Sequence, residues 1–113
     1  MKLDYNKRIR DLGLILPPSP KPAGAYMPIV QVSNLLYVSG HLPMKEDGSL
    51  MTGRLGESLT VEEGKTIARQ VGINMLATLR NYLGDLNKIE RLVKTMGMVN
   101  CTANFDQQPA VIN

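Results

Sequence analysis

Ile29-Val30-Gln31-Val32-Ser33-Asn34-Leu35-Leu36-Tyr37-Val38 sets two short apolar runs on either side of a polar pair. The first run is rich in β-branched residues, which suit a pleated strand. Ser33-Asn34 suits the turn, because Asn tolerates left-handed backbone angles. Leu35 to Val38 is the return strand, and its near-continuous apolar character predicts cover on both faces. A β-hairpin over residues 29–41 follows.

Working outward, Pro17-Pro18-Ser19-Pro20-Lys21-Pro22 places four prolines in six positions. They forbid a helix and favour an extended surface connector. Before them, residues 5–12 carry a short helical pattern, with Gly13 as a stop. Downstream, residues 42–59 read as a loop or edge region with a turn at Glu46-Asp47-Gly48-Ser49. The clearest element is a helix from about 61 to 83. Thr60 is a good N-cap and Glu63 completes a capping box. Ile67, Ala68, Val71, Met75, Leu76, Leu79 and Leu83 form an apolar stripe. Lys65, Arg69, Asn74, Thr78 and Arg80 are expected largely outside that stripe. Gly64 and Gly72 weaken the helix but let its backbone press close to a sheet. Gly84 ends it. Residues 91–101 read as a third strand, with Gly97 at a bulge or close contact. Ala110-Val111-Ile112 reads as the start of another element. Strand, helix, strand predicts a helix packed on one sheet face.

The 113 residues suffice for one domain and are too few for two. A hydrophobic share of 43% makes a packed core feasible and argues against whole-chain disorder. The net charge of +3 is scattered, with no concentrated basic face, so nucleic acid is not the expected partner. Cys101 is the only cysteine and cannot form an internal disulfide. No apolar run approaches the roughly 20 residues of a membrane span, and the first residues lack a signal-peptide core. Cytoplasmic location and no membrane partner are the expectation. One His and one Cys make no metal-ligand set, and no Gly-x-Gly-x-x-Gly or Walker loop is present. No cofactor is therefore expected. Ser39, His41 and Asp47 lack the nucleophile elbow of a hydrolase triad.

Gly24-Ala25-Tyr26-Met27-Pro28, then the hairpin, then Ser39-Gly40-His41-Leu42-Pro43 stand in a distinctive order. The helix segment from Ala68 to Leu79 and the turn Gly84-Asp85-Leu86-Asn87-Lys88-Ile89 follow. This order resembles the Rid family (reactive intermediate deaminases, also called YjgF or L-PSP endoribonuclease-like), over roughly residues 12–113. Leu12 to Pro17 and the tail Gln107 to Asn113 are similar to a longer, less well understood branch of it.

The resemblance implies an α+β, chorismate-mutase-like fold, with helices on one face of a mixed β-sheet. It also implies a homotrimer with clefts between subunits. Residues 1–113 would then be a single domain, incomplete at its C-terminal end, with a second helix and at least two strands to follow. The implied activity is hydrolysis of small enamines and imines to a 2-keto acid and ammonia, as in 2-iminobutanoate/2-iminopropanoate deaminases. Tyr26 and Ser39 match catalytic positions. Tyr26, Ser39, Gly40, His41 and Asn113 match substrate-binding positions, with His41 where relatives often carry Gln. The family's carboxylate-anchoring Arg and water-positioning Glu would lie beyond Asn113. Two other readings stay open: a non-catalytic module that binds a small carboxylate or regulates a partner, and an L-PSP-type endoribonuclease.

Overall fold

The computed structural model describes residues 2–113. Asp4 caps the first helix, α1 (Tyr5–Asp11), by accepting from the Lys7 amide. The hairpin is β1 (Ile29–Val32) and β2 (Leu35–Val38), paired antiparallel with Ile29 opposite Val38 and Val32 opposite Leu35. The left-handed turn residue is Ser33, with φ 55°, rather than the expected Asn34. β2 is not covered on both faces. Leu36 and Val38 are half-buried while Leu35 and Tyr37 are exposed. With Val30 and Val32 from β1, they leave one apolar face of the hairpin open.

The long helix α2 (Val61–Leu83) spans the expected range because both of its ends are encoded locally. Thr60 Oγ1 accepts from the Glu63 amide at 3.1 Å, and Glu63 Oε1 accepts from the Thr60 amide at 3.1 Å. Gly84, at φ 80°, closes the helix by donating to the Arg80 carbonyl at 2.8 Å. The core lies where α2 meets α1 and a single 3₁₀ turn, Leu86–Lys88. Leu16, Ala77 and Leu86 are buried there, with Ile9, Leu76 and Leu79 packed around them. Asn87 ties the start of α1 to this turn: its Oδ1 accepts from the Tyr5 amide at 2.7 Å and its Nδ2 donates to Asp4 at 3.0 Å.

Three expectations need correction. Asn74 and Thr78 are not on the solvent side of α2; each is only 2% exposed. Gly64 and Gly72 differ from each other. A Cβ on Gly64 would lie 2.8 Å from Leu55, a loop residue rather than a sheet residue, whereas one on Gly72 would meet open space. Residues 91–101 do not form a strand. Only Cys101 makes a bridge, parallel to Leu55, where the Leu55 amide donates to Asn100 and the Thr102 amide donates to Leu55. A strand exists only where a neighbour completes its ladder, and the hairpin does not pair with this segment. The sheet described is therefore a two-stranded antiparallel one, not a mixed sheet.

The tail forms a short helix, α3 (Gln108–Ile112), packed on α2. Its Ile112 closes on Gly97, where any Cβ would lie 2.5 Å from the Ile112 side chain. Gly97 is thus a close-contact glycine. No described helix is long and apolar enough to cross a membrane.

Candidate functional site

Four of the five candidate site residues gather at the end of β2. The chain leaves that strand at Ser39, whose amide donates to the Pro28 carbonyl at 2.9 Å. Its Oγ donates to the Met27 carbonyl at 2.6 Å. These two bonds pin the strand end against the segment that follows Tyr26. The Ser39 hydroxyl hydrogen is thereby committed, and its oxygen lone pairs remain able to accept.

Tyr26 is half exposed, and its phenolic oxygen accepts from the Ala23 amide at 3.2 Å. That bond uses a lone pair and leaves the Tyr26 O–H free to donate. Gly40 is exposed, and a Cβ there would meet no atom within 4 Å, so a ligand can approach its backbone closely. His41 turns inward. Its Nδ1 lies 2.8 Å from the Ser39 carbonyl and its Nε2 lies 2.8 Å from Thr78 Oγ1.

Tyr26, Ser39, Gly40 and His41 line one open cleft, together with Leu42 and Met44 and the proline strap Pro20-Lys21-Pro22. Its volume of about 40 Å³ holds little more than a water molecule. The cleft is open to solvent on its outer side. Asn113 does not line it; Asn113 caps α3, with its amide donating to Pro109 at 3.0 Å. Lys21 does line it and was not singled out from the sequence, because the proline run around it reads as a connector.

The floor of the cleft is held by α2. Asn74 Nδ2 donates to the Leu42 carbonyl at 3.1 Å and to the Met44 carbonyl at 2.9 Å. Asn74 Oδ1 accepts from Gln70 Nε2 at 3.0 Å. Gln70, Asn74 and Thr78 stand four apart, one above another on a single helix face. Asn74 and Thr78 grip the segment 41–44, and Gln70 braces Asn74. No sequence signal marks this role, because the gripped groups are mostly backbone carbonyls some 30 residues away.

A larger cleft of about 480 Å³ lies beside α1, lined by Ile9, Leu14, Leu16 and Leu86 with Arg10 and Arg80. It holds none of the candidate site residues. Cys101 is half-buried beside Gln108, whose Nε2 lies 3.5 Å from its Sγ.

Residues 6–113 match the family described as "YjgF/chorismate_mutase-like, putative endoribonuclease". Protein TCP17 of Trypanosoma cruzi is 39% identical over 105 residues, which cover 93% of this chain and 66% of that protein. A RutC family protein of Pyrococcus abyssi is 30% identical over 79 residues, covering 66% of this chain and 62% of its own length. The chain thus spans slightly less than two thirds of these curated relatives. A crystal structure from Shewanella oneidensis, described as "a putative endoribonuclease", superposes with a TM-score of 0.91 at 29% identity, over 97% of this chain and 73% of that one. A protein of unknown function from Agrobacterium tumefaciens superposes with a TM-score of 0.82 at 38% identity, over 95% of this chain and 64% of that one. On the extent of these matches, and on the α+β fold they share, the chain belongs to the YjgF/chorismate-mutase-like family.

Proposed function

We propose that this chain supplies half of the active site of a hydrolase acting on small enamine or imine intermediates. The product is a 2-keto acid with ammonia. The observation that carries the reading is the meeting of Tyr26, Ser39 and Gly40 in one open cleft. Imine hydrolysis adds water to the imine carbon, after which the carbon–nitrogen bond breaks and nitrogen leaves as ammonia. The free Tyr26 hydroxyl is suited to donate toward the imine nitrogen, and the Ser39 lone pairs to accept from the incoming water. Lys21 is the formal cation at the rim and suits the substrate carboxylate electrostatically.

A cleft of this size needs another wall. In the proposed homotrimer a second copy supplies it, and the apolar hairpin face of Val30, Val32, Leu35 and Tyr37 supports burial between copies. A carboxylate-anchoring Arg and a water-positioning Glu, which the family resemblance implies, would complete such a site. Cytoplasmic location belongs to the same proposal and is supported by the lone Cys101.

The test is ammonia release from a 2-imino acid generated in place by an amino-acid oxidase, with the full-length protein. Tyr26→Phe and Ser39→Ala are each expected to slow hydrolysis by roughly 10-fold or more. Unchanged rates in both would remove the site. Light scattering that gives a folded monomer would remove the intersubunit cleft.

The runner-up is a binding module without turnover. It is favoured by the cleft's lining, in which no carboxylate stands ready as a base. Binding of a 2-keto acid with no turnover of the imine would select it. The endoribonuclease reading draws on the wording attached to the relatives, and RNA cleavage that survives repeated purification would favour it over both.

A further inference from the structure

His41 lines the cleft, yet both of its ring nitrogens are spent inside the protein. A backbone carbonyl can only accept, so the 2.8 Å contact with the Ser39 oxygen requires hydrogen on Nδ1. In the neutral ring Nε2 is then the acceptor, and the Thr78 hydroxyl donates to it. In the charged ring Nε2 donates instead, and the Thr78 hydroxyl turns to a carbonyl one turn back on the helix. The link survives either way. Thr78 is buried on α2, beside the Asn74 grip on Leu42 and Met44. His41 is therefore the one side chain that joins the backbone of Ser39 to the rigid helix.

The geometry points to His41 as a positioning residue: it orients Ser39 through its carbonyl, braced by Thr78, and does not bind the substrate itself. The inference rests on the hydrolase reading for its kinetic consequence, and on the geometry alone for its structural one. Ser39 has two further restraints, to Met27 and Pro28, and both come from the segment leading into β1 rather than from α2. Loss of the ring leaves Ser39 itself bonded only to that segment.

The experiment has two arms, both on the full-length protein. The first is nitrogen-15 NMR of the His41 ring with amide exchange at Ser39. It should show hydrogen on Nδ1, bonded to the Ser39 carbonyl. His41→Leu should speed exchange of the Ser39 amide while the mid-helix amides of α2 keep their protection. An Nε2–H tautomer, or unchanged Ser39 exchange, overturns the proposal.

The second arm is a kinetic cycle on imine hydrolysis. His41→Leu should lower kcat by about 10- to 100-fold with little change in KM, since a displacement near 1 Å costs on that order. His41→Gln should restore most of the loss, because its amide offers one donor and one acceptor to the same two partners. In a Ser39→Ala background, His41→Leu should cost less than about 3-fold, because the residue it positions has lost its hydroxyl. Independent, multiplying losses overturn the positioning role, as does a rise in KM alone, which marks a substrate contact. If the wild type turns over no imine, the proposed function fails, and the NMR arm still decides the role of His41.

Discussion

Residues 41–44 and residues 91–100 both lie outside helices and strands, and α2 accounts for the difference between them. The first segment is gripped by side chains of α2: His41 by Thr78, and the carbonyls of Leu42 and Met44 by Asn74. The second has apolar, strand-like residues and almost nothing to hold them. Leu92 is 79% exposed and Met98 is 91% exposed. Buried amide and hydroxyl groups on a helix can fix a loop as firmly as a sheet would. Strand propensity alone fixes nothing where no ladder is completed.

The largest effect should come from breaking the grip. Asn74→Leu removes three hydrogen bonds and leaves two carbonyls and the Gln70 amide without their partner. We expect a loss of about 3 kcal/mol in urea denaturation. A loss below about 1 kcal/mol would mean that water replaces Asn74 at those carbonyls, and the contrast between the two segments would fall.

Next come the two glycines of α2. Gly64→Ala forces a methyl against Leu55 and should cost about 1–3 kcal/mol, reduced by whatever room the Leu55 side chain finds. Gly72→Ala meets open space and should stabilise by up to about 1 kcal/mol through helix propensity. Thermal melts of the pair should shift in opposite directions. Shifts of the same sign would show that Leu55 yields freely.

The elements that were legible in the sequence are those encoded within a few residues. The Thr60–Glu63 box and Gly84 mark both ends of α2, and the hairpin follows from two apolar runs and a polar pair. What was missed depends on distant partners. Asn74 and Thr78 look like surface residues because polar side chains on a helix usually face water. Their burial depends on carbonyls and a ring from the segment 41–44. Residues 91–101 have the composition of a strand, but composition cannot say whether a neighbouring strand is there. The site divides in the same way. Tyr26, Ser39 and Gly40 are offered by the family resemblance, and the structure brings them to one cleft. Lys21 reaches the cleft only because the proline strap folds back over it, and Asn113 goes instead to the end of α3.

A smaller effect concerns α1. Asp4 is held below the ordinary aspartate range by its bonds from the Lys7 amide and Asn87. Asp85 is lowered by bonds from the Asn87 amide and Asn6. Groups with a depressed folded pKa add stability that is present above their unfolded value and lost as pH falls through the folded one. Contacts between α1 and the turn at 85–89 should therefore hold at neutral pH and loosen only below about pH 4. Proton-exchange protection at the Tyr5 amide, which donates to Asn87, reports this directly. Loss of that protection between pH 5 and 7 would contradict the assignment.

The smallest effect belongs to the ungripped segment. Met98→Lys replaces a side chain that this structure leaves almost wholly in solvent. In the 113-residue chain it should change stability by less than about 0.5 kcal/mol. The amides from Leu92 to Met96 should exchange orders of magnitude faster than those of mid-α2, because no described ladder protects them. In an assembly of several copies the same substitution becomes a probe of what lies against this segment. A cost of about 2 kcal/mol there, with none in the isolated chain, would mean that a second copy completes the ladder. Equal and negligible costs in both would leave Leu92 and Met98 as exposed apolar surface, and the segment would then have no structural role comparable to that of 41–44.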